Sequence, residues 1–197
     1  MRTLRVTIAL AVLVLCLQPF ASAQATECFA EKRWNFGIFA VGGSGLQQDS
    51  DIQNFGVGAR LGRVLTHPSG PGFLNGSLEW NAEVLPFHQF YGRGETATGG
   101  IVNPLVVKWN FVGARRVSPF FEVIGGAIFT NKDFPPGDTS TINFNSGAGV
   151  GVNIFRGSNR SIAFDVRALH ISNASIGNHN PGVNASLQFT LGYTWWK

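Results

Sequence analysis

Apolar and polar residues alternate along much of this chain with a period of two. Between residues 76 and 90, one parity carries Leu78, Trp80, Ala82 and Val84, and the other carries Ser77, Glu79, Asn81 and Glu83. Successive side chains of a β-strand point to opposite faces, whereas a helix repeats about every 3.6 residues, so this alternation predicts a strand. The same pattern recurs over residues 141–155, 161–172 and 183–196.

Weaker alternation in four further segments raises the prediction to eight strands; these segments are 34–42, 54–65, 98–112 and 117–130. Glycine- and proline-rich breakers lie between strands, for example at residues 67–72, 135–138 and 180–182. Eight strands joined by turns favour an all-β fold, an eight-stranded antiparallel barrel. We predict a single barrel domain over residues 24–197.

The first part of the chain has the features of an export signal. Arg2 and Arg5 supply positive charge, residues 6–17 are apolar, and Ala21 to Ala23 form a small-residue cleavage site. We therefore predict a signal peptide over residues 1–23. Its removal leaves Cys28 as the one cysteine, so no internal disulfide is expected.

Composition excludes two broad classes. Of the 197 residues, 44% are hydrophobic, 13% are charged and 25 are glycine, which is too apolar for a disordered chain. The formal net charge of the chain is only +4, and it becomes smaller still when Arg2 and Arg5 are removed with the signal peptide. This balance gives no sign of a nucleic-acid partner.

An eight-stranded barrel can be soluble or can span an outer membrane, and the two place the apolar face oppositely. A soluble barrel fills its interior with apolar side chains, whereas a membrane barrel turns them to lipid and keeps a polar lumen. The charged residues share the small, Gly- and Asn-rich face with nearly balanced signs, as pairing in a narrow lumen requires. They are Glu79, Glu83, Glu122, Asp165, Arg60, Lys108 and Arg167.

One further feature favours the membrane barrel. Aromatic residues near strand ends suit interfacial girdles; these are Trp34, Trp109, Tyr193, Trp195 and Trp196. The chain after the signal lacks the run of about 18 apolar residues that a spanning helix needs. We therefore expect a barrel embedded in the bacterial outer membrane with periplasmic termini, and a soluble lipocalin-like barrel is the alternative.

The seventh predicted strand carries two polar residues on its apolar face. Phe164 and Val166 set the lipid-facing parity, which continues to His170 and Ser172. Polar groups that face lipid are costly, because neither water nor a lumen partner satisfies them. A histidine two residues from a serine on one face can also reach its hydroxyl, as a base must to activate a nucleophile. A substrate cleaved there would be a lipid.

A family resemblance is carried by residues 170–174 and 180–184, which read HISNA and NPGVN. This pattern resembles the signature of the PagL-type lipid A 3-O-deacylases, a family of outer-membrane barrels. The resemblance implies a serine esterase that removes the 3-O-linked acyl chain of lipid A, or lipopolysaccharide, in the outer leaflet, without metal or cofactor. It implies His170 as general base, Ser172 as nucleophile, and Asn173 with the backbone N–H of Ser175 as oxyanion donors.

One position departs from the family pattern. The type member has a glutamate fourteen residues after the catalytic histidine, and this chain has Asn184 there. A carboxamide oxygen can accept a hydrogen bond from the His170 Nδ1–H, but it carries no charge to stabilise imidazolium. Asn184 is therefore the third predicted catalytic residue. Strand parity points it inward, so this role requires a bulge or loop end that turns it outward.

The remaining residues leave alternatives open. His67 and His88 lie in or beside predicted loops and His179 in the last connection, so they predict no metal site. Asp165 and Arg167 fit a lumen ion pair better than a catalytic pair. A non-catalytic outer-membrane barrel with a structural or adhesive role is the alternative function, and the sequence leaves a homo-oligomer open.

Overall fold

Eight antiparallel strands dominate the computed structural model, which describes residues 24–31, 34–113, 116–137 and 139–197. They are β1 (Trp34–Gly45), β2 (Gln53–Val64), β3 (Gly76–Gly92), β4 (Glu95–Phe111), β5 (Val117–Thr130), β6 (Ile142–Phe155), β7 (Arg160–Ser172) and β8 (Val183–Trp196). One helix, α1 (Gln24–Glu31), precedes them and was not predicted. The predicted all-β barrel is confirmed, whereas the predicted signal peptide lies outside the described residues.

Each strand pairs with its neighbour in sequence, and β1 also pairs with β8, so the sheet closes. The start of β1 and the end of β8 share one end of the barrel with α1, and we call it the terminal end. The β1–β2, β3–β4, β5–β6 and β7–β8 connections form the opposite, distal end. Closure removes the sheet edges, which a bilayer requires because backbone polar groups find no water there.

The outer face of the barrel is apolar. Large hydrophobic side chains are exposed on every strand, among them Ile38, Phe55, Phe87, Leu105, Phe121, Val150, Phe164 and Leu191. A soluble barrel would bury such residues, whereas a membrane barrel turns them to lipid. This distribution excludes the soluble alternative. Among the described residues, no helix has the length and apolar character to cross a bilayer.

Charged side chains fill the middle of the lumen and neutralise one another. The Arg167 guanidinium donates to Glu83 at 2.8 and 2.9 Å and, through Nε, to Glu122 at 2.9 Å. Arg60 donates to Glu83 at 2.8 Å, and Lys108 Nζ lies 3.4 Å from Glu122. All five side chains are buried. The predicted pairing of charges in a narrow lumen is confirmed.

The charged layer is tight enough to require glycine on the lumen face. Asp165 completes the layer, with its Oδ1 3.0 Å from Arg167 Nε. That N–H donates to Glu122, so the Asp165 contact is one of charge rather than a hydrogen bond. At Gly151 a Cβ atom would lie 2.5 Å from the Phe120 ring and 2.6 Å from the Asp165 Cβ. A larger residue there would displace the layer.

The terminal end of the lumen is closed by α1. Phe29 of this helix packs edge-on against Trp196, with ring centroids 5.2 Å apart. Trp196 is only 5% exposed, so its predicted place in an outer aromatic girdle is wrong. The physical reason is that the helix offers an apolar partner inside the barrel. Deeper in the lumen than α1, Glu79 accepts hydrogen bonds from Asn35 and Asn110, both at 2.8 Å.

The distal part of the lumen is apolar, which strict alternation did not predict. Its buried cluster comprises Phe39, Val41, Ile52, Leu85, Phe90, Ala97, Ile101, Ile128, Phe134, Ile171 and Val183. A register shift between Leu85 and His88 reverses the parity of β3, so His88 points inward and is 1% exposed. The expectation that His88 lies in or beside a loop is therefore wrong. Its ring packs against Phe90 within β3, with centroids 4.6 Å apart.

We predict that Arg167→Leu lowers the free energy of unfolding by roughly 3–5 kcal/mol, because it leaves Glu83 and Glu122 buried without their main partner. The measurement is urea unfolding of the barrel in lipid vesicles, followed by its heat-dependent gel mobility. The matched control is Arg160→Leu, at the exposed start of β7, which we expect to change stability by less than about 0.5 kcal/mol. Equal losses in the two variants would contradict the central role of Arg167.

Candidate active site

His170 and Ser172 lie on the outer face of the barrel at the distal end of β7. Along this strand Asp165, Arg167 and Leu169 are buried in the lumen. His170 and Ser172 have the opposite parity and lie on the outer face, where His170 is exposed and Ser172 is half-buried. Residues two apart on one face have Cα atoms about 7 Å apart, so the imidazole and the hydroxyl are adjacent on the surface. The outward orientation is the one that strand parity predicted.

A bulge in β8 turns Asn184 outward. The β7–β8 register pairs Leu169 with Ser186 but Ile171 with Val183, so two residues of β8 oppose His170. Both of these residues, Asn184 and Ala185, are exposed, whereas Val183 and Ser186 are buried. Strict parity pointed Asn184 inward, and the bulge supplies the extra residue that reverses it.

The His170 ring contacts the main chain of this bulge. His170 Nδ1 lies 3.2 Å from the Asn184 carbonyl oxygen. Because a carbonyl only accepts hydrogen bonds, Nδ1 carries the proton in this contact and Nε2 of the neutral ring is left with its lone pair. The Asn184 carboxamide was predicted in this position, and the atom that occupies it is the main-chain oxygen of the same residue.

A second hydroxyl lies beside His170 and was missed from the sequence. Ser146 of β6 pairs with His170 in the β6–β7 register, and Phe144 pairs with Ser172. Ser146 is exposed on the outer face. It interrupts the apolar series of β6 between Phe144 and Ala148, which is the signal that could have revealed it. The outer face therefore carries a polar patch of Ser146, His170, Ser172 and Asn184 within an apolar wall.

The β7–β8 connection is held in one shape by its own asparagines. Asn173 is 1% exposed, accepts the Ser175 N–H at 2.9 Å through Oδ1, and donates Nδ2 to the His179 carbonyl at 2.7 Å. The Asn173 N–H donates in turn to Asn180 Oδ1 at 3.1 Å. Both predicted oxyanion donors are thus engaged within the loop. Either N–H must share or leave its present acceptor to meet a substrate oxyanion.

The backbone just after the site adopts an unusual conformation. Ala174 and Ser175 have φ angles of 51° and 64°, in the left-handed region that residues with a Cβ atom rarely occupy. Non-glycine residues persist there only where the surroundings hold them, and such positions concentrate at functional sites. Here the hydrogen bonds of Asn173 hold them.

The described part of the chain holds no cluster of metal-ligating side chains. No three His, Cys, Asp or Glu side chains come together there as a metal site would require. The polar patch brings together hydroxyl groups and an imidazole beside backbone N–H groups, and these are the groups that acyl transfer uses.

A family comparison covers most of the barrel. The sequence model of the family described as "Lipid A 3-O-deacylase (PagL)" matches residues 54–194. The chain belongs to this family. The match runs from β2 to β8 and includes His170, Ser172 and Asn184. A comparison with curated proteins finds no match.

Solved outer-membrane barrels share the fold of this PagL-family chain. The outer-membrane enzyme PagL is 21% identical, with a TM-score of 0.53 over 80% of this chain and 97% of that one. Neisserial surface protein A is 11% identical, with a TM-score of 0.56 over 82% and 96%. OprG from Pseudomonas aeruginosa is 11% identical, with a TM-score of 0.50 over 86% and 98%. The protein is thus an outer-membrane β-barrel, as its sequence predicted.

We predict that Gly177→Ala loosens the β7–β8 connection of this PagL-family barrel. A Cβ atom at Gly177 would lie 1.7 Å from the Thr139 carbonyl oxygen, so the β7–β8 and β5–β6 connections would have to separate. We expect faster proteolytic cleavage within residues 173–182 and an unchanged heat-dependent gel shift of the barrel. Gly113→Ala is the control, because a Cβ atom there meets nothing within 4 Å. Cleavage at the wild-type rate in the Gly177 variant would contradict the close packing of these two loops.

Proposed function

We propose that this protein is a serine esterase that hydrolyses the 3-O-linked acyl ester of lipid A, with Ser172 as nucleophile and His170 as general base. The observation that carries the proposal is the polar patch on the lipid-facing wall, where the exposed His170 and the half-buried Ser172 adjoin. Polar groups facing lipid are costly and mark functional positions. Membership of the lipid A 3-O-deacylase family supplies the substrate class.

The first half of the proposed reaction is acyl transfer to the enzyme. Nε2 of the neutral His170 takes the proton of Ser172 as Oγ attacks the ester carbonyl carbon, forming a tetrahedral oxyanion. When this intermediate collapses, the bond between the acyl carbonyl carbon and the 3-oxygen of the sugar breaks. His170 returns the proton to this departing oxygen. The fatty acyl chain is then bound to Ser172 as an ester.

The second half releases the acyl chain. Water attacks the acyl-Ser172 carbonyl while His170 takes its proton, and collapse returns that proton to Ser172 Oγ and frees the fatty acid. The N–H groups of Asn173 and Ser175 stabilise the oxyanion in both halves, after giving up or sharing their present loop acceptors. The Asn184 carbonyl holds the Nδ1–H of His170 throughout, which keeps Nε2 directed at the reacting groups.

The test is the mass of lipid A from cells that express the protein in the outer membrane. We predict that the wild type removes one 3-hydroxyacyl group and that Ser172→Ala and His170→Ala remove none, because each loses a group that the chemistry requires. Heat-dependent gel mobility should show that both variants still form the barrel.

The matched control is Ser146→Ala, which deletes another outward hydroxyl beside the same histidine. We expect it to deacylate, since the hydroxyl of Ser172 remains. Activity in Ser172→Ala with none in Ser146→Ala would reverse the assignment of the nucleophile. Unchanged lipid A in the wild type would favour the non-catalytic structural or adhesive barrel.

A second prediction concerns Asn184. Because the atom that meets His170 is a main-chain oxygen, Asn184→Ala keeps the acceptor, and we expect it to lower the deacylation rate far less than His170→Ala does. Initial rates on purified lipid A in detergent provide the measurement. If the two variants lose the same activity, the carboxamide rather than the carbonyl orients the imidazole.

A further inference from the structure

An acidic side chain from a different part of the chain reaches the bulge that orients His170. Asp49 ends a short 3₁₀ turn, Gln47–Asp49, in the β1–β2 connection and is 3% exposed. Its Oδ2 accepts the backbone N–H of Asn184 at 3.1 Å, across 135 positions of sequence. The carboxylate thus binds the N–H of the same residue whose carbonyl meets the His170 ring.

The bulge explains why this N–H needs Asp49. In a bulge the extra residue is left out of the ladder between the strands, so its polar groups need partners elsewhere. The regular β1–β8 pairing ends at Gly45 and Ser186. The Leu46 N–H continues it by donating to the Ala185 carbonyl at 2.8 Å. The next backbone N–H of β8 that faces the β1–β2 connection is that of Asn184, and it donates its hydrogen bond to the Asp49 carboxylate.

Asp49 is itself fixed in place. Its Oδ1 accepts a hydrogen bond from Arg93 Nη2 at 3.1 Å, and Arg93 occupies the tight β3–β4 turn with a φ of 53°. Its backbone N–H donates to the Leu46 carbonyl at 3.1 Å, and its carbonyl accepts from Ile52 at 2.9 Å. A buried carboxylate persists only when it is paired in this way. Contacts therefore run continuously from Arg93 through Asp49 and Asn184 to His170.

We propose that Asp49 is a positioning residue for His170: its carboxylate fixes the bulged Asn184 backbone so that the Asn184 carbonyl holds the imidazole in one tautomer and orientation. This inference rests on the proposed function and deepens it. The carboxylate comes from the β1–β2 connection and acts through the main chain of Asn184. Arg93 neutralises Asp49, so its contribution is geometric.

The first arm of the test measures kinetics on purified lipid A with the full-length barrel in detergent. Asp49→Ala should lower kcat by about 10²-fold, the cost of a small misplacement of a reacting group, with KM nearly unchanged because substrate contacts remain. Asp49→Asn keeps an oxygen that can accept the Asn184 N–H and should restore most of the rate. A rate for Asp49→Asn as low as that of Asp49→Ala would overturn the proposal, since an acceptor alone would not suffice.

Asp51→Ala is the matched control. Asp51 lies two residues away in the same connection and also faces Arg93, with Oδ2 3.5 Å from Nε, but its side chain is 51% exposed. Its removal should leave the rate at the wild-type value. Equal losses in Asp49→Ala and Asp51→Ala would overturn the proposal, because general loosening of the loop would then account for both.

The second arm does not depend on activity. In ¹⁵N-histidine NMR of the barrel in micelles, with His170 assigned through His170→Asn, the wild-type ring should show a proton held on Nδ1. Asp49→Ala should shift these signals toward exchange between tautomers, and Asp51→Ala should not. Unchanged His170 signals in Asp49→Ala would overturn the inference whatever the rates. Absence of deacylation by the wild type, with the His170 shift present, would instead overturn the proposed function and leave Asp49 as the group that orients this ring.

Discussion

Backbone hydrogen bonding within a closed sheet is the constraint on which this structure depends. In hydrocarbon an unpaired N–H or C=O costs several kcal/mol, so the eight strands must satisfy one another around the full circle. Closure then sets the chemistry of the two faces. The wall that meets lipid is apolar, and the lumen it encloses is so narrow that glycine is needed beside the paired charges of Arg167, Glu83 and Glu122.

The candidate site lies where this pairing is interrupted. The β7–β8 bulge takes Asn184 out of the regular ladder, and the groups freed there find other partners: its carbonyl meets His170, and its N–H meets Asp49. A regular ladder would have used both groups and turned Asn184 inward. The interruption costs local pairing energy, and the structure limits that cost by placing it at the distal end, where loops supply the acceptors.

The lumen and the site are connected through the ends of β7 and β8. Ile171 and Val183, the inward neighbours of the site residues, belong to the distal apolar cluster and are 2% and 1% exposed. Their burial fixes the register of the strand ends, so that His170 and Ser172 face outward on a rigid support. Residues on rigid elements hold reacting groups more precisely than residues on loops. The Asn-rich β7–β8 connection adds order above this support.

Sequence alone determined the strands, their inward and outward faces and the outward position of His170 and Ser172, because side-chain alternation is a local property that a closed sheet preserves. The resemblance of residues 170–184 to a family signature pointed to the same site. Local pattern failed at His88 and Asn184, where a bulge reversed parity, and at Trp196, where the distant helix α1 decided burial. Only the tertiary structure could bring Asp49 to Asn184, since that contact joins positions far apart in sequence and exists only because β1 closes the barrel against β8.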